Sequence, residues 1–255
     1  MSERAASKAV NESYRQRVIR EKLARSEATR PAALPTGFGS LDAATGGMPR
    51  GGIIELFGDA GSGKTTLALQ ITANVQAAGG SAVWVDAEHC FDAAYAMRLG
   101  VAMERLPVAR PDSAEEALEI MRLLAESAAV DLLVVDSAAA LVPQVELDAG
   151  IGTSGAGLHG RVLASGLRRL AAAIRRSGSV ALFINQTRTA GDAEDTGKAA
   201  GGPPLKLFAA MRLAIRGNPE RSRLVVVRVM KNKAAGASSE CGLAWRNDAG
   251  LAEAP

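Results

Sequence analysis

Residues able to hold a phosphate chain cluster between positions 53 and 66, Ile-Ile-Glu-Leu-Phe-Gly-Asp-Ala-Gly-Ser-Gly-Lys-Thr-Thr. Gly58, Asp59, Ala60, Gly61, Ser62, Gly63, Lys64 and Thr65 have the spacing of a P-loop, and Thr66 follows. Such a loop turns backbone N–H groups towards anionic oxygens, and the helix N-terminus behind it adds partial positive charge. Lys64 would reach the β- and γ-phosphates of ATP, and the Thr65 hydroxyl would ligate Mg²⁺. The bare spacing arises by chance in about one chain in a hundred of this length, so its surroundings must decide. Ile53 to Phe57 reads as a buried strand, and Leu67, Ala68, Ile71 and Val75 recur at helical spacing. Strand, glycine-rich turn and helix is the context the motif needs.

Two further apolar runs end on acidic residues. Leu132 to Val135 closes on Asp136-Ser137, the Walker B arrangement, in which Asp136 would hold Mg²⁺. Ala82 to Val85 closes on Asp86-Ala87-Glu88-His89. In an open α/β sheet the carboxyl ends of the strands are where ligands bind. His89 stands beside Cys90, but no other Cys or His falls at zinc spacing, which argues against a zinc site.

The remaining elements have to position these groups. Residues 3–26 are charged, with a thin stripe of Val10, Tyr14, Val18 and Leu23, which suggests an amphipathic helix that needs a surface to dock on. Thr29 to Gly37 reads as a linker, Ser40 to Asp42 as a helical turn, and Gly46 to Pro49 as a tight turn. Phe91 to Leu99 is expected to be a helix and Leu106 to Ala109 a short strand. Ser113 and Glu116 form a capping box for a helix with Leu118, Met121 and Leu124 on one face. Pro143 to Gly157 and Thr187 to Pro204 are long glycine-containing loops, a class that is usually functional or disordered. Between them, Leu158 to Arg176 reads as a helix with Arg161, Arg168 and Arg175 seven residues apart, Arg169 and Arg176 beside them, and no acidic residue. That is either a solvated basic face or a nucleic-acid contact. Val180 to Ile184, Met211 to Ile215, Leu224 to Met230 and Cys241 to Trp245 read as strands, the last taken as the final one. The alternation predicts an α/β fold with a mostly parallel sheet and an antiparallel end.

Composition fits one large α/β domain or two small ones: 255 residues, 47% of them hydrophobic. Aromatics are only 4%, so the core must rest on Ala, Val, Leu and Ile. The net charge of +3 is a mild basic bias. Two cysteines, Cys90 and Cys241, make no disulfide framework and suggest a reducing compartment. With no membrane-length apolar run and no opening signal peptide, the expected location is cytoplasmic.

Taken together, Gly58–Thr66, Asp86–His89, Val134-Val135-Asp136-Ser137, Phe183-Ile184-Asn185-Gln186 and Lys231-Asn232-Lys233 stand in the order and spacing of the RecA recombinase family, which the chain resembles over about residues 36–247. The resemblance implies a RecA-like P-loop NTPase core over residues 36–255, with residues 1–35 as an N-terminal helix and linker that docks on a protomer or partner. It implies that Glu88 is the general base for the attacking water and that Gln186 senses the γ-phosphate. It implies that Asp92 and Tyr95 hold the adenine, and that Lys231 and Lys233 reach a nucleotide across the protomer interface. Arg161 and Arg168, with Arg188, Gly201 and Gly202 in the second loop, match positions that contact single-stranded DNA. Implied partners are DNA, further copies of the chain or a RecA filament. Departures are visible too. The family's C-terminal domain and its usual pattern after the N-terminal helix are missing, and its Phe before the second-loop glycines is not evident. Pro203 replaces an Asn, and Leu207 replaces the Phe that carries a signal between protomers. The chain is thus similar to shortened RecA paralogues such as the ImuA family, accessory proteins of translesion mutagenesis that work with error-prone polymerase subunits.

Overall fold

The computed structural model describes residues 32–149, 157–187, 203–217, 223–234, 239–246 and 249–254. From Ala33 onwards they belong to one compact unit. In chain order the elements are β1 (Ala33–Leu34), α1 (Gly39–Thr45), β2 (Met48–Pro49), β3 (Ile53–Gly58), α2 (Lys64–Ala77), β4 (Ala82–Asp86), α3 (Ala93–Arg98), β5 (Val108–Ala109) and α4 (Ala114–Glu126). They continue with β6 (Leu132–Asp136), α5 (Gln144–Asp148), α6 (Leu158–Ser177), β7 (Val180–Gln186), α7 (Pro203–Phe208), β8 (Met211–Gly217), β9 (Leu224–Asn232), β10 (Glu240–Arg246) and β11 (Gly250–Glu253).

Among the described residues nine strands form one sheet in the order β11-β10-β9-β8-β3-β7-β6-β4-β5. From β8 to β5 neighbours run parallel, and β8, β9, β10 and β11 pair antiparallel. The parallel strands are apolar on both faces because both faces are covered. On one side Leu67, Leu69, Ile71 and Val75 of α2 pack against Ile54, Leu56, Trp84, Val134 and Leu182. On the other, Leu118 and Met121 of α4 and Leu163, Leu167 and Leu170 of α6 pack against Ile53, Val83, Leu133 and Phe183. The expected α/β class, with its parallel body and antiparallel end, is the observed one.

Local chemistry sets the helix ends. The Ser113 hydroxyl accepts the Glu116 N–H at 3.3 Å, as a capping box requires. The Glu116 carboxylate reaches one residue further back, accepting from Asp112 N at 2.9 Å. Gly178, at φ 74°, stops α6 and returns its N–H to Ile174 O.

Five short elements differ from expectation. Ala33–Leu34, inside the predicted linker, pairs with Met48–Pro49, which had read as a turn. Within the first predicted loop, Gln144–Asp148 forms a helix after Pro143. The second gives way to α7 from Pro203. A further strand, β11, follows β10, because the side-chain amide of Gln70 both donates to Leu251 O and accepts from Leu251 N at 2.8 Å. Elements of two to six residues are too short to carry a hydrophobic period. The stripe at Val10, Tyr14, Val18 and Leu23 lies outside the described residues.

α4 and α6 cross where Gly166 meets Leu118. A Cβ at Gly166 would lie 2.4 Å from a Leu118 methyl and 3.1 Å from its Cβ. Gly166→Ala gains about 1 kcal/mol of helix propensity but overpacks the contact by about 1–3 kcal/mol. The expected net effect is a loss of about 1 kcal/mol, read as a lower urea midpoint with unchanged slope; a midpoint equal to or above wild type contradicts it.

Candidate nucleotide site

β3 ends at Gly58, where no other residue fits: an added Cβ would sit 2.0 Å from Ile215 O on β8. The turn that follows uses left-handed backbone at Gly61 and Gly63 (φ 74° and 97°), and α2 begins at Lys64 without a side-chain cap. Its first-turn N–H groups therefore face the loop, as an anion site requires. Lys64 is buried, and its ammonium donates to Gly58 O at 3.0 Å and Asp59 O at 2.6 Å. Burial lowers the Lys64 pKa, while the charges of Asp136, Asp59 and Glu88 work the other way. Asp59 in turn accepts a short hydrogen bond from the Thr187 hydroxyl. Ala60, Gly61 and Ser62 complete the turn, with Ser62 N on Asp59 O.

Thr65 and Asp136 meet directly, Oγ1 to Oδ2 at 2.9 Å. A hydroxyl and a carboxylate that share one point in space are the hard oxygen donors Mg²⁺ takes, so the residues present fit the ion. Burial pushes the Asp136 carboxyl up to about 6; the charges of Glu88 and Asp86 add to this, and the Thr65 hydrogen bond and Lys64 oppose it.

Glu88 sits on the turn after β4. Ala87 N and Glu88 N both donate to Asp136 O, at 2.8 and 3.2 Å, so the turn is fastened to the end of β6. The Ser137 hydroxyl donates a short bond to the Glu88 carboxylate. Asp86, 1% exposed, braces the same turn by accepting from Cys90 N and Phe91 N at 3.1 Å, with Arg110 Nε at 3.3 Å. His89 faces away, its ring nitrogen 3.2 Å from Pro111 O. Cys90 keeps its proton, since burial and the Glu88 charge push the thiol up to about 11.

Asp92 caps α3 by accepting from Tyr95 N at 2.9 Å, and the Tyr95 hydroxyl lies 2.7 Å from Thr66 Oγ1. The ring is thereby pinned beside the start of α2. Trp245 on β10 comes from the far end of the chain to the same place, its ring edge 3.0 Å from where a Gly63 Cβ would be. Sequence reading assigned no role to Asp86, Ser137 or Trp245. The first two lie inside recognised motifs; for Trp245 there was no local signal.

Gln186 ends β7 opposite Gly58, with its side chain exposed. Lys231 and Lys233 lie elsewhere. Lys231 is in register with Arg212 and, through it, with Glu55; Lys233 N donates to Ala210 O, and Ala210 N to Ile53 O. Both sit towards the amino edge of β3, away from the phosphate loop of their own chain.

The basic helix divides into two faces. Arg169 and Arg176 turn towards α4: Arg169 lies beside Glu115 and Glu119, and Arg176 pairs with Glu126 at 3.5 Å, while Arg122 of α4 holds Glu119 at 2.5 Å and Glu126 at 2.6 Å. Arg161, Arg168 and Arg175 are exposed and, among the described residues, have no ionic partner. Arg188, Gly201 and Gly202 lie outside the described residues.

A glycine turn at the carboxyl end of a central parallel strand, with a lysine, a metal-fitting Thr–Asp pair and a braced glutamate around it, defines a P-loop α/β protein. The RecA N-terminal domain family matches residues 3–244, and the chain belongs to the RecA family. It is 47% identical over 217 residues to the RecA protein of Thermus thermophilus, covering 79% of this chain and 63% of that one. It is 46% identical over 218 residues to RecA 1 of Myxococcus xanthus, covering 80% and 63%. The chain thus spans just under two thirds of the length of these relatives. The solved RadB recombinase has the same fold, with a TM-score of 0.68 over 87% of this chain and all of that one, at 22% identity.

Because the folded Asp136 pKa lies above its ordinary 3.8, the fold favours the protonated form. Stability is therefore lost as pH rises through the range from there to about 6, and the cost is complete above it. Asp136→Asn is expected to stabilise the nucleotide-free protein by about 1–3 kcal/mol at pH 8, with the gain fading near pH 4. Melting temperatures at both pH values check this; no gain at pH 8, or an equal gain at both, contradicts it.

Proposed function

We propose that the protein is a cytoplasmic RecA-type ATPase that binds ATP with Mg²⁺ and assembles on single-stranded DNA in DNA repair and recombination. The observation that carries the reading is the convergence of Lys64, Thr65, Asp136 and Glu88 on one sheet edge, while Lys231 and Lys233 sit towards the other. A nucleotide on the loop gives Lys64 phosphate oxygens in place of the carbonyls it now holds. Thr65 and Asp136 hold Mg²⁺, which when bound neutralises phosphate charge. Glu88, aimed by Asp86 and Ser137, takes the proton of the attacking water. Asp92, Tyr95 and Trp245 bound the base. Gln186 reads the terminal phosphate, and Thr187, hydrogen-bonded to Asp59, passes the loop's state to residues 188–202. Lys231 and Lys233 supply positive charge to a neighbour's nucleotide, so turnover requires self-association or a place in a RecA filament.

Leu207 favours a second reading. It is 71% exposed at the end of α7, where its family resemblance places a signalling Phe. A shorter aliphatic residue there suits an accessory protein that docks on a RecA filament, or on an error-prone polymerase complex after DNA damage, with little turnover.

Two substitutions separate binding from hydrolysis. Lys64→Ala is expected to abolish binding of a fluorescent ATP analogue. Glu88→Gln is expected to keep it and lower hydrolysis by about 10²-fold or more. Unchanged affinity in the first variant contradicts the nucleotide site, and a wild type without hydrolysis even with DNA at high protein concentration selects the accessory reading.

For DNA, each of Arg161→Ala and Arg168→Ala is expected to lower the log–log salt slope of single-strand binding by about 0.7. Arg169→Ala is expected to leave it unchanged, because that side chain lies against α4 beside Glu115 and Glu119. Equal slopes in all three variants would make α6 a solvated face.

A further inference from the structure

Three polar side chains are buried inside the sheet, on the face that α6 and α7 cover. Glu55 of β3, Asn185 of β7 and Arg212 of β8 are 1%, 0% and 3% exposed. Arg212 Nε donates to one Glu55 oxygen, and Asn185 Nδ2 donates to the other at 2.8 Å. The guanidinium also lies over the Phe57 ring, 4.4 Å from its centroid. A buried ion pair is rarely a better source of stability than apolar residues of the same size. Among the apolar residues that fill this face of the sheet, this one calls for another reason.

Bond polarity supplies it. The Glu55 carboxylate accepts at both oxygens, so the Asn185 amide must turn its NH₂ towards it. The Asn185 carbonyl oxygen then points along β7 and accepts the Gln186 N–H at 3.0 Å. The last residue of β7 is thereby fixed from β3, directly across from Gly58. On the other side, Arg212 is in register with Lys231, whose ammonium donates to Lys206 O at 2.9 Å and Leu207 O at 3.4 Å, holding the end of α7. Hydrogen bonds and one strand-pair register therefore run from the end of β7 to the lysine edge.

We propose that Glu55, Asn185 and Arg212 form a positioning device that sets Gln186 for the terminal phosphate of ATP and ties it to the Lys231 edge; the inference rests on the nucleotide reading of the phosphate loop. None of the three touches the nucleotide. Their effect is on the discrimination between ATP and ADP, which differ only in that phosphate.

The test uses an isosteric change. In Glu55→Gln the new amide must keep its oxygen towards Arg212 Nε, so its NH₂ faces Asn185. Asn185 then has to turn over and present NH₂ to the Gln186 N–H, donor against donor. Adding Asn185→Asp restores an acceptor towards both neighbours and returns the buried negative charge. Wild type, Glu55→Gln and the double variant Glu55→Gln/Asn185→Asp are titrated by calorimetry with Mg²⁺–ATPγS and Mg²⁺–ADP, with melting temperatures measured in parallel. Glu55→Gln is expected to hold ADP affinity within about twofold while losing roughly tenfold of its preference for ATPγS. The double variant is expected to recover the preference to within about threefold of wild type. If Glu55→Gln does not fold, Asn185→Ser, which keeps the Glu55–Arg212 pair, carries the same comparison. An unchanged preference, an equal loss of both nucleotides, or a folded double variant without recovery overturns the proposal. A wild type that binds neither nucleotide overturns the nucleotide reading itself, and this one with it.

Discussion

The parallel direction of β3, β4, β6 and β7 is the constraint on which everything else depends. Parallel neighbours place their carboxyl ends on one edge, so residues separated by long stretches of chain arrive together. Gly58, Asp86, Asp136 and Gln186 are each the last residue of their strand. The register makes the meeting exact to a residue: Asp86 pairs with Asp136, and Gly58 with Gln186. An antiparallel partner at any of these positions would send its end to the opposite edge. That is what happens after β8: β9 runs back, and Lys231 and Lys233 are delivered away from the phosphate loop.

The site is held together at the expense of stability. Asp136 is buried with Glu88 and Asp86 close enough to raise its pKa, and Lys64 is buried with backbone carbonyls for company. Each of these groups would be easier to fold as a neutral residue. Their charges offset one another only in part, and a polyanion with a divalent cation fits that balance better than the protein's own groups do. Asp86 and Ser137 spend their hydrogen bonds on aiming Glu88 rather than on the core. Such local conflicts between stability and arrangement are expected where a sequence serves function.

How far the sequence could be read depended on whether a feature was local. The buried strands were legible because both-face burial writes an unbroken apolar run, as in Leu132 to Val135. The phosphate loop was legible because its glycines, lysine and threonine are contiguous. β1, β2 and β11 were not, since two to four residues carry no period and their pairing comes from distant partners such as Gln70. The surroundings of α6 were not legible for a related reason: the helix has no acid of its own, and only packing brings Glu126 of α4 to Arg176. Trp245 and the Glu55–Arg212 pair depend on which strands become neighbours, and no spacing in the chain announces that. Glu55 read as one polar residue in an otherwise apolar strand.

The two edges of the sheet need not act alone, because β3 belongs to both. Its carboxyl end makes the phosphate loop, and its middle residue, Glu55, binds β7 on one side and β8 on the other. A parallel sheet this well packed does not deform gradually. A shift at the phosphate end would therefore show as a change of hydrogen-bond partners. Thr187 on Asp59 and Lys231 on the end of α7 are the hydrogen-bonded points where this network meets the surface. Gly58, Gln186 and Lys231 are in this way connected through strands β7, β3 and β8 by the hydrogen bonds of Glu55 and one strand-pair register.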